Sequence, residues 1–180
     1  MRTTVKSMKL SEFKVFEGQP KEHAAKHVEL LTGDRNTEMR FTVKGPNGYY
    51  DVIGRIDDLY DELKVANDAG ANIFVVVQPT GAGGRKDEDV TGGRAVVADS
   101  DNGPLDNAAC EPTFIVTSVA GPHLYFTRTS SAPPWPIDLT VEKTKAMAFK
   151  LGTDPEVATA GRIMRMAGFN HLKEIGRAHV

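Results

Sequence analysis

Hydrophobic and polar positions follow two different periods along the first seventy residues. Two stretches repeat apolar residues every three to four positions and stop near Gly33 and Gly70, which predicts two amphipathic helices. Two stretches between them alternate in strand fashion around the turn signal Gly45-Pro46-Asn47-Gly48, which predicts a β-hairpin. The predicted elements are helices at 23–31 and 56–66 and hairpin strands at 39–44 and 49–53.

The later part of the chain predicts more strands and then helices. The strands fall at 72–77, 94–98, 113–118 and 123–127, and the helices at 139–151 and 155–165. A glycine-rich polar loop occupies 78–89, and a proline-rich crossing occupies 130–136. This mixed order predicts an α+β fold, with an antiparallel or mixed sheet and helices packed on it.

Composition narrows the class of protein. The 180 residues are 40% hydrophobic and 26% charged, which is typical of one soluble globular domain. No segment is long and apolar enough to predict a transmembrane helix or a signal peptide, so we expect a cytoplasmic protein with no membrane partner. Cys110 is the single cysteine, which excludes an internal disulfide and a cysteine-based zinc cluster.

The charge is unevenly distributed along the chain. The net charge of −2 gives no indication of nucleic-acid binding by the chain as a whole. Residues 141–180, however, hold seven Lys and Arg against four Asp and Glu. A basic C-terminal part beside an acidic metal site would suit a phosphate-rich ligand.

Two carboxylates follow the apolar strand at 94–98. Asp99 and Asp101 are two positions apart, so in an extended chain their side chains point the same way. Mg²⁺ prefers oxygen ligands and commonly shares its shell with substrate phosphates. The pair therefore predicts a metal-dependent, nucleotide-handling site, with a solvated turn as the alternative.

Two more residues add to this hypothesis. His123 begins a strand that we expect beside the aspartate strand, where an imidazole could donate to a phosphate oxygen. The alternative is a half-buried histidine at a strand end. Asp154 precedes Pro155 and is either a third metal carboxylate or the N-cap of a helix.

Cationic side chains are concentrated in residues 161–173. Arg162, Arg165 and Lys173 could bind phosphate, since Arg offers a fork of N–H donors and Lys a point charge. The alternative is a solvated helix face with its apolar side in the core. The loop at 81–86 lacks Gly-Lys-Ser/Thr and is not a P-loop, although Arg85 and Lys86 could face phosphates.

The order of these motifs resembles the archaeo-eukaryotic primase superfamily, and most of all its plasmid and phage primases of the RepB type and their primase-polymerase relatives. The resemblance covers about residues 72–173, with its three motifs at 94–103, 117–123 and 151–173. It departs from the family at Ala167, which stands where the family has proline, and at Asn170-His171, where the polar pair is shifted.

The resemblance implies a set of site residues. Asp99, Asp101 and Asp154 would hold two divalent ions, Mg²⁺ or Mn²⁺. His123 would contact the triphosphate of the incoming nucleotide, and Ser118 would belong to the same binding segment. Arg162, Arg165 and Lys173 would support the site or contact phosphates.

The resemblance also implies a fold. It is a split, RRM-like mixed or antiparallel sheet with packed helices and a small N-terminal αβ unit. Residues 1–180 would form one catalytic domain, with an N-terminal part at 1–70 and an RRM-like catalytic part at 71–180. The helical bundle that many members carry after this domain would be absent.

The implied activity is template-directed synthesis of short primers, and extension of primers, on single-stranded DNA from NTP or dNTP. A helicase or a separate helical-bundle domain is a further candidate partner.

Two alternatives to this function stay open. A glycosyltransferase with an Asp-x-Asp metal site would not account for His123 or the basic tail. The other is a non-catalytic module that binds a replication origin or single-stranded DNA; a nicking initiator is disfavoured because the chain has no His-x-His.

Overall fold

The computed structural model describes residues 14–46, 48–81, 83–100, 111–118, 121–128 and 132–172. Within these ranges no helix is long and apolar enough to cross a membrane. The helices are α1 (Pro20–Thr32), α2 (Ile56–Asp68) and α3 (Ile137–Leu151). The strands are β1 (Met39–Gly45), β2 (Gly48–Gly54), β3 (Asn72–Val76), β4 (Ala95–Asp99), β5 (Phe114–Thr117), β6 (Pro122–Thr127) and β7 (Ile163–Arg165). Single 3-10 turns lie at Asp87–Asp89 and Pro155–Val157.

The strands form two antiparallel sheets. The first has the order β2-β1-β3-β7, and the second has the order β4-β6-β5. This confirms the predicted α+β class. The first sheet contains strands from both sides of residue 70, where the sequence predicted the boundary between the two parts of the domain.

The predicted hairpin, the helices predicted at 23–31, 56–66 and 139–151, and the strands predicted at 72–77, 94–98, 113–118 and 123–127 are confirmed to within a few residues, but the helix predicted at 155–165 is wrong. A 3-10 turn at Pro155–Val157 is followed by β7, which pairs with β3 through Val75 and Met164. Buried Met164 lies between two half-buried neighbours, which is the alternation of a strand. Pairing with a distant edge strand therefore overrides the local helical spacing.

One hydrophobic cluster joins α1, α2 and the inner faces of both sheets. It includes Val28, Leu31, Ile56, Leu63, Phe41, Val75, Val97 and Tyr125. The opposite face of the second sheet packs against α3, where Ala98 and Leu124 contact Met147 and Leu151. The second sheet is thus covered on both faces, and its inner face is turned toward the first sheet.

A glutamine side chain ties the two sheets together at the end of β3. Gln78 Nε2 donates to the Ala95 carbonyl at 2.7 Å, and the Arg94 N–H donates to Gln78 Oε1 at 2.6 Å. The amide therefore pairs with the first residues of β4 as a neighbouring strand would. Because Gln78 is buried, leaving these main-chain groups without it would carry a desolvation cost.

The loop between β3 and β4 lies against the segment that leads into β7. The Gly161 N–H donates to Asp87 Oδ1 at 3.0 Å. A Cβ added at Gly161 would lie 1.9 Å from the Arg85 carbonyl oxygen, which no side chain could tolerate without backbone movement. Glycine at 161 thus allows two main-chain segments to touch just before Arg162.

His27 is a buried histidine on α1 that faces the second sheet. Its Nδ1 accepts a hydrogen bond from the Ala167 N–H at 3.2 Å, and its Nε2 has no hydrogen-bond partner among the described residues. The ring packs edge-on against Phe114 and Tyr125, with centroid distances of 5.4 and 5.2 Å. Burial, and next the proximity of His123, lower the pKa of His27 to about 3. His27 is therefore neutral in the folded protein at neutral pH.

We expect Gly161→Ala to destabilise the protein by about 1–3 kcal/mol, because the new methyl group forces the Arg85 backbone away. Urea unfolding would measure the loss. Gly45→Ala is the matched control, since the nearest atom to its Cβ would be 3.8 Å away. Equal stability of Gly161→Ala and the wild type would contradict the described contact between the loop and residue 161.

We expect His27 to make the wild type lose stability in acid. The unfolded chain binds a proton at His27 near pH 6.5 and the folded chain does not until about pH 3, so acid favours unfolding by about 1.4 kcal/mol per pH unit between these values. The stability advantage of wild type over His27→Gln should therefore shrink by about 2 kcal/mol between pH 7 and pH 5.

Urea unfolding at several pH values would test this expectation. His23→Gln, one turn earlier on the same helix and less buried, is the control and should keep the acid dependence of the wild type because His27 is intact. A constant difference between wild type and His27→Gln across this pH range would show that His27 does not titrate as described.

Candidate functional site

Asp99 and His123 lie directly opposite each other on neighbouring strands. Asp99 is the last residue of β4 and is the Cα partner of His123 on β6, which confirms that the two predicted strands are neighbours. His123 Nε2 is 3.4 Å from Asp99 Oδ1. The His123 side chain is only 2% exposed and that of Asp99 15% exposed, so the histidine is more buried than the half-buried alternative assumed.

Arg162 brings a cation from the first sheet to Asp99. Its guanidinium NH2 is 3.7 Å from Asp99 Oδ2, and 28% of its side chain is exposed. Its carbonyl accepts the Val77 N–H at 3.1 Å, which fixes its main chain beside the end of β3. The ion pair therefore spans the two sheets. A largely buried carboxylate needs such partners, because losing its hydration is costly.

The main chain of Asp154 lies beside the main chain of Asp99. The Asp154 N–H donates to the Asp99 carbonyl at 3.4 Å. Its carboxylate Oδ1 accepts the Glu156 N–H at 2.8 Å and caps the 3-10 turn at Pro155–Val157. The capping alternative is therefore confirmed as a structural role of Asp154, and its role as a metal ligand stays a prediction.

The predicted metal set is only partly within the described residues. Asp101 and Lys173 lie outside them. In the part of the chain that the structure describes, no group of three His, Cys, Asp or Glu side chains is arranged to hold a metal ion. The roles of Asp99 and Asp101 as metal ligands therefore stay predictions.

The remaining predicted site residues are placed differently. Ser118 Oγ donates to the Gly121 carbonyl at 2.8 Å, so Ser118 helps to shape the chain just before His123. Arg165 is the partner of Phe74 on β3. Strand alternation puts Arg165 on the face of β7 opposite buried Met164, and therefore opposite Arg162. The structure brings Arg162 to Asp99 and leaves Arg165 on the other face of the sheet.

Two asparagines that no sequence motif singled out hold the tail of the third motif. Asn67 Nδ2 donates to the Asn170 carbonyl at 2.9 Å, and Asn67 Oδ1 accepts the Asn170 N–H at 2.8 Å. Asn72 makes the same pair of bonds with the main chain of Leu172, both at 2.9 Å. Residue 170 is therefore fixed through its backbone while its side chain is exposed. The separation of about one hundred residues left no local signal for these contacts.

Tyr125 is a second residue that the sequence analysis passed over. It is two positions after His123 on β6 and therefore shares its face, a spacing that could have identified it. Its ring is fully buried, and its hydroxyl has no hydrogen-bond partner among the described residues. Burial, and next the charge of Asp99, raise the pKa of the Tyr125 phenol, so it stays neutral behind the site.

The arrangement has a definite chemical character. Asp99 offers carboxylate oxygens of the kind that Mg²⁺ and Mn²⁺ bind. Arg162 adds a partly exposed guanidinium, whose N–H donors suit a phosphate. His123 supports the carboxylate from the protein interior. A hard cation and a phosphate could therefore be bound side by side between the two sheets.

The similarity of this chain to known proteins lies in its fold. No family model and no curated protein matches the sequence. Among solved structures, the AEP domain of the cyanophage S-2L primase-polymerase matches with a TM-score of 0.67 and 20% identity, covering 84% of each chain. Primase RepB' matches with a TM-score of 0.66 and 16% identity, covering 88% of this chain and 53% of that one.

The catalytic domain of primase RepB' in complex with initiator DNA also matches, with a TM-score of 0.66, 14% identity and coverage of 87% of this chain and 80% of that chain. The three structures match this chain with nearly equal TM-scores, and each match covers most of the chain. At these identities they concern the backbone architecture. The chain therefore has the fold of the AEP-domain primases and primase-polymerases.

Proposed function

We propose that this chain is a DNA primase or primase-polymerase that joins nucleotides on a single-stranded DNA template with the help of two divalent metal ions. The observation that carries the proposal is the contact of Asp99 with both His123 and Arg162 between the two sheets. Those residues come from the three motifs that resemble the superfamily, and the fold is that of primases and primase-polymerases.

The metal-binding part of the proposal rests on carboxylates. Asp99, Asp101 and Asp154 would hold Mg²⁺ or Mn²⁺, and the donor set fits because all three offer hard oxygen ligands. In nucleotidyl transfer such ions activate the attacking hydroxyl and stabilise the leaving pyrophosphate. Asp154 is already fixed beside Asp99 by the hydrogen bond from its main chain.

The other residues would position the substrate and balance its charge. Arg162 is partly exposed beside Asp99 and could donate to a phosphate of the incoming nucleotide. His123 is held against Asp99 and would orient that carboxylate. Direct contact of His123 with a triphosphate requires the ligand to reach a side chain that is almost fully buried. Positioning and charge neutralisation carry most of the rate in phosphoryl-type transfers, so these roles would complement the metal ions.

Substrates and partners belong to the same proposal. One of the structural neighbours is a primase catalytic domain in complex with initiator DNA, which supports DNA as the template here. NTP or dNTP would be the second substrate, and a helicase or a separate helical-bundle domain would be a further partner. The non-catalytic DNA-binding module is the competing function, and it requires none of the carboxylates.

We expect the wild type to make oligonucleotides on unprimed single-stranded DNA with labelled nucleotides and Mg²⁺ or Mn²⁺. Asp99→Ala and Asp101→Ala should each lose about 100-fold or more of this activity, since even outer partners of metal ligands are worth about 10–100-fold. Asp61→Ala removes an exposed carboxylate on α2 and is the matched control.

The outcomes of this assay separate the candidate functions. Primer synthesis by Asp101→Ala at the wild-type rate would contradict the metal assignment. Extension of a supplied primer without synthesis on unprimed DNA would indicate a polymerase domain that lacks its initiation module. Absence of product in both assays, with DNA binding intact, would favour the non-catalytic module.

A second prediction separates the two roles of Asp154. Asn is as good an N-cap as Asp, so Asp154→Asn should match the wild type in metal-free melting, while Asp154→Ala should lose about 1 kcal/mol. Metal that binds the folded state raises the melting temperature, and both variants should lose most of the rise that Mn²⁺ gives the wild type. A full Mn²⁺ response in Asp154→Asn would restrict Asp154 to capping.

A further inference from the structure

The outward face of the β1–β2 hairpin differs from the inner one. Met39, Phe41 and Val43 point into the shared hydrophobic cluster with α1 and α2, so the alternate positions point outward. The strand pairing sets these outward residues side by side. They are Arg40, Thr42 and Lys44 on β1 and Tyr49, Asp51 and Ile53 on β2.

Tyr49 is an exposed aromatic ring with a cation held over it. The residue is 68% exposed. The guanidinium carbon of Arg85, from the loop between β3 and β4, lies 5.2 Å from the ring centroid. Arg85 is itself oriented by Asp51, whose Oδ1 is 3.7 Å from the Arg85 Nε. The ring and the guanidinium are therefore held against each other beside β2, which is an edge strand of the first sheet.

Three cationic side chains lie on or beside this face. Asp51 lies close to both Arg85 and Arg40, whose NH1 is 3.4 Å from Asp51 Oδ2. Lys44, the strand partner of Tyr49, is an exposed cation on the same face, whereas the Arg40 side chain is largely buried and that of Arg85 is partly exposed. The ammonium group of Lys44 and the partly exposed guanidinium of Arg85 supply N–H donors that suit the phosphates of a polyanion. A protein ligand of mixed charge would gain less from this surface.

The loop that carries Arg85 links this face to the candidate site. The main chain at Arg85 touches Gly161, and the Asp87 carboxylate accepts the Gly161 N–H at 3.0 Å. The next residue, Arg162, reaches Asp99 at 3.7 Å. The loop therefore joins Arg85 to the segment that carries Arg162.

We propose that Tyr49 and Arg85 form a base-stacking platform that holds single-stranded DNA on its way to the candidate site. This inference rests on the proposed function, for which the DNA is the template. Sequence-independent binding of single strands combines aromatic rings that stack on bases with cations that follow the phosphates. Tyr49 supplies the ring, while Arg85 and Lys44 supply the cations.

Fluorescence anisotropy with a labelled oligo(dT) of about 20 nucleotides at fixed salt tests the platform, because site sizes per domain are about 4–16 nucleotides. Tyr49→Ala loses the ring on which one base stacks, so its affinity for oligo(dT) should be lower than that of the wild type by about fivefold or more. Tyr49→Phe keeps the ring and should bind as the wild type does. Arg85→Gln should lower the slope of log affinity against log salt by about one.

Tyr50→Ala is the matched control. Tyr50 is exposed and adjacent in sequence, but it lies on the opposite face of β2 and pairs with Val43. We expect it to leave oligo(dT) affinity within about twofold of wild type. Circular dichroism of each variant would establish that the fold is intact.

The results distinguish the platform from the proposed function. If Tyr49→Ala binds oligo(dT) as tightly as wild type while the wild type makes primers, the platform is overturned and the function stands. If Tyr49→Ala loses binding but the wild type makes no product with either metal, the platform is supported and the transferase proposal fails. A wild type that does not bind oligo(dT) would also overturn the platform.

Discussion

The pairing of β7 with β3 is the constraint on which the candidate site depends. This three-residue strand returns the chain from the second sheet to the edge of the first, and it puts Arg162 at the point where the two sheets approach. Without that return, Asp99 would have no cation from the first sheet. Gly161 makes the return possible, because any side chain there would collide with the main chain at Arg85.

The same region contains three polar aromatic side chains in the protein interior. His27, His123 and Tyr125 are all buried, and burial keeps His27 and the Tyr125 phenol neutral. Such groups reduce stability compared with apolar residues of similar size. They are concentrated behind Asp99, while the rest of the shared cluster is largely aliphatic. The protein therefore accepts a stability cost where the candidate chemistry is located.

Local patterns predicted the elements whose structure is determined locally. The hairpin of β1 and β2 and the helices α1, α2 and α3 were predicted to within a few residues, because periodicity and turn residues specify them. The strands of Asp99 and His123 were expected to be neighbours, and their register in the structure puts the two residues opposite each other. β7 was predicted as helix, because its partner β3 is almost ninety residues earlier and leaves no mark on the local spacing.

Distance along the chain also explains which site contacts the sequence did not show. His27 reaches Ala167 and Tyr125 from a helix near the other end of the domain, and no motif surrounds it. Asn67 holds residue 170 in the same way. The roles of Asp101 and Lys173 stay predictions that rest on the resemblance to the primase superfamily, as both lie outside the described residues.

The geometry around Asp99 suggests how one carboxylate can serve both the fold and the proposed reaction. Arg162 is 3.7 Å from Asp99 Oδ2, beyond hydrogen-bond distance, and its side chain is partly exposed. Under the proposed function, Arg162 would turn from Asp99 to a phosphate without breaking a direct hydrogen bond between the two side chains. The contact with His123 is buried and would persist, so Asp99 keeps its orientation. In the proposed reaction, His123 would hold Asp99 in place from the interior, while Arg162 would bind and release the charged nucleotide at the surface.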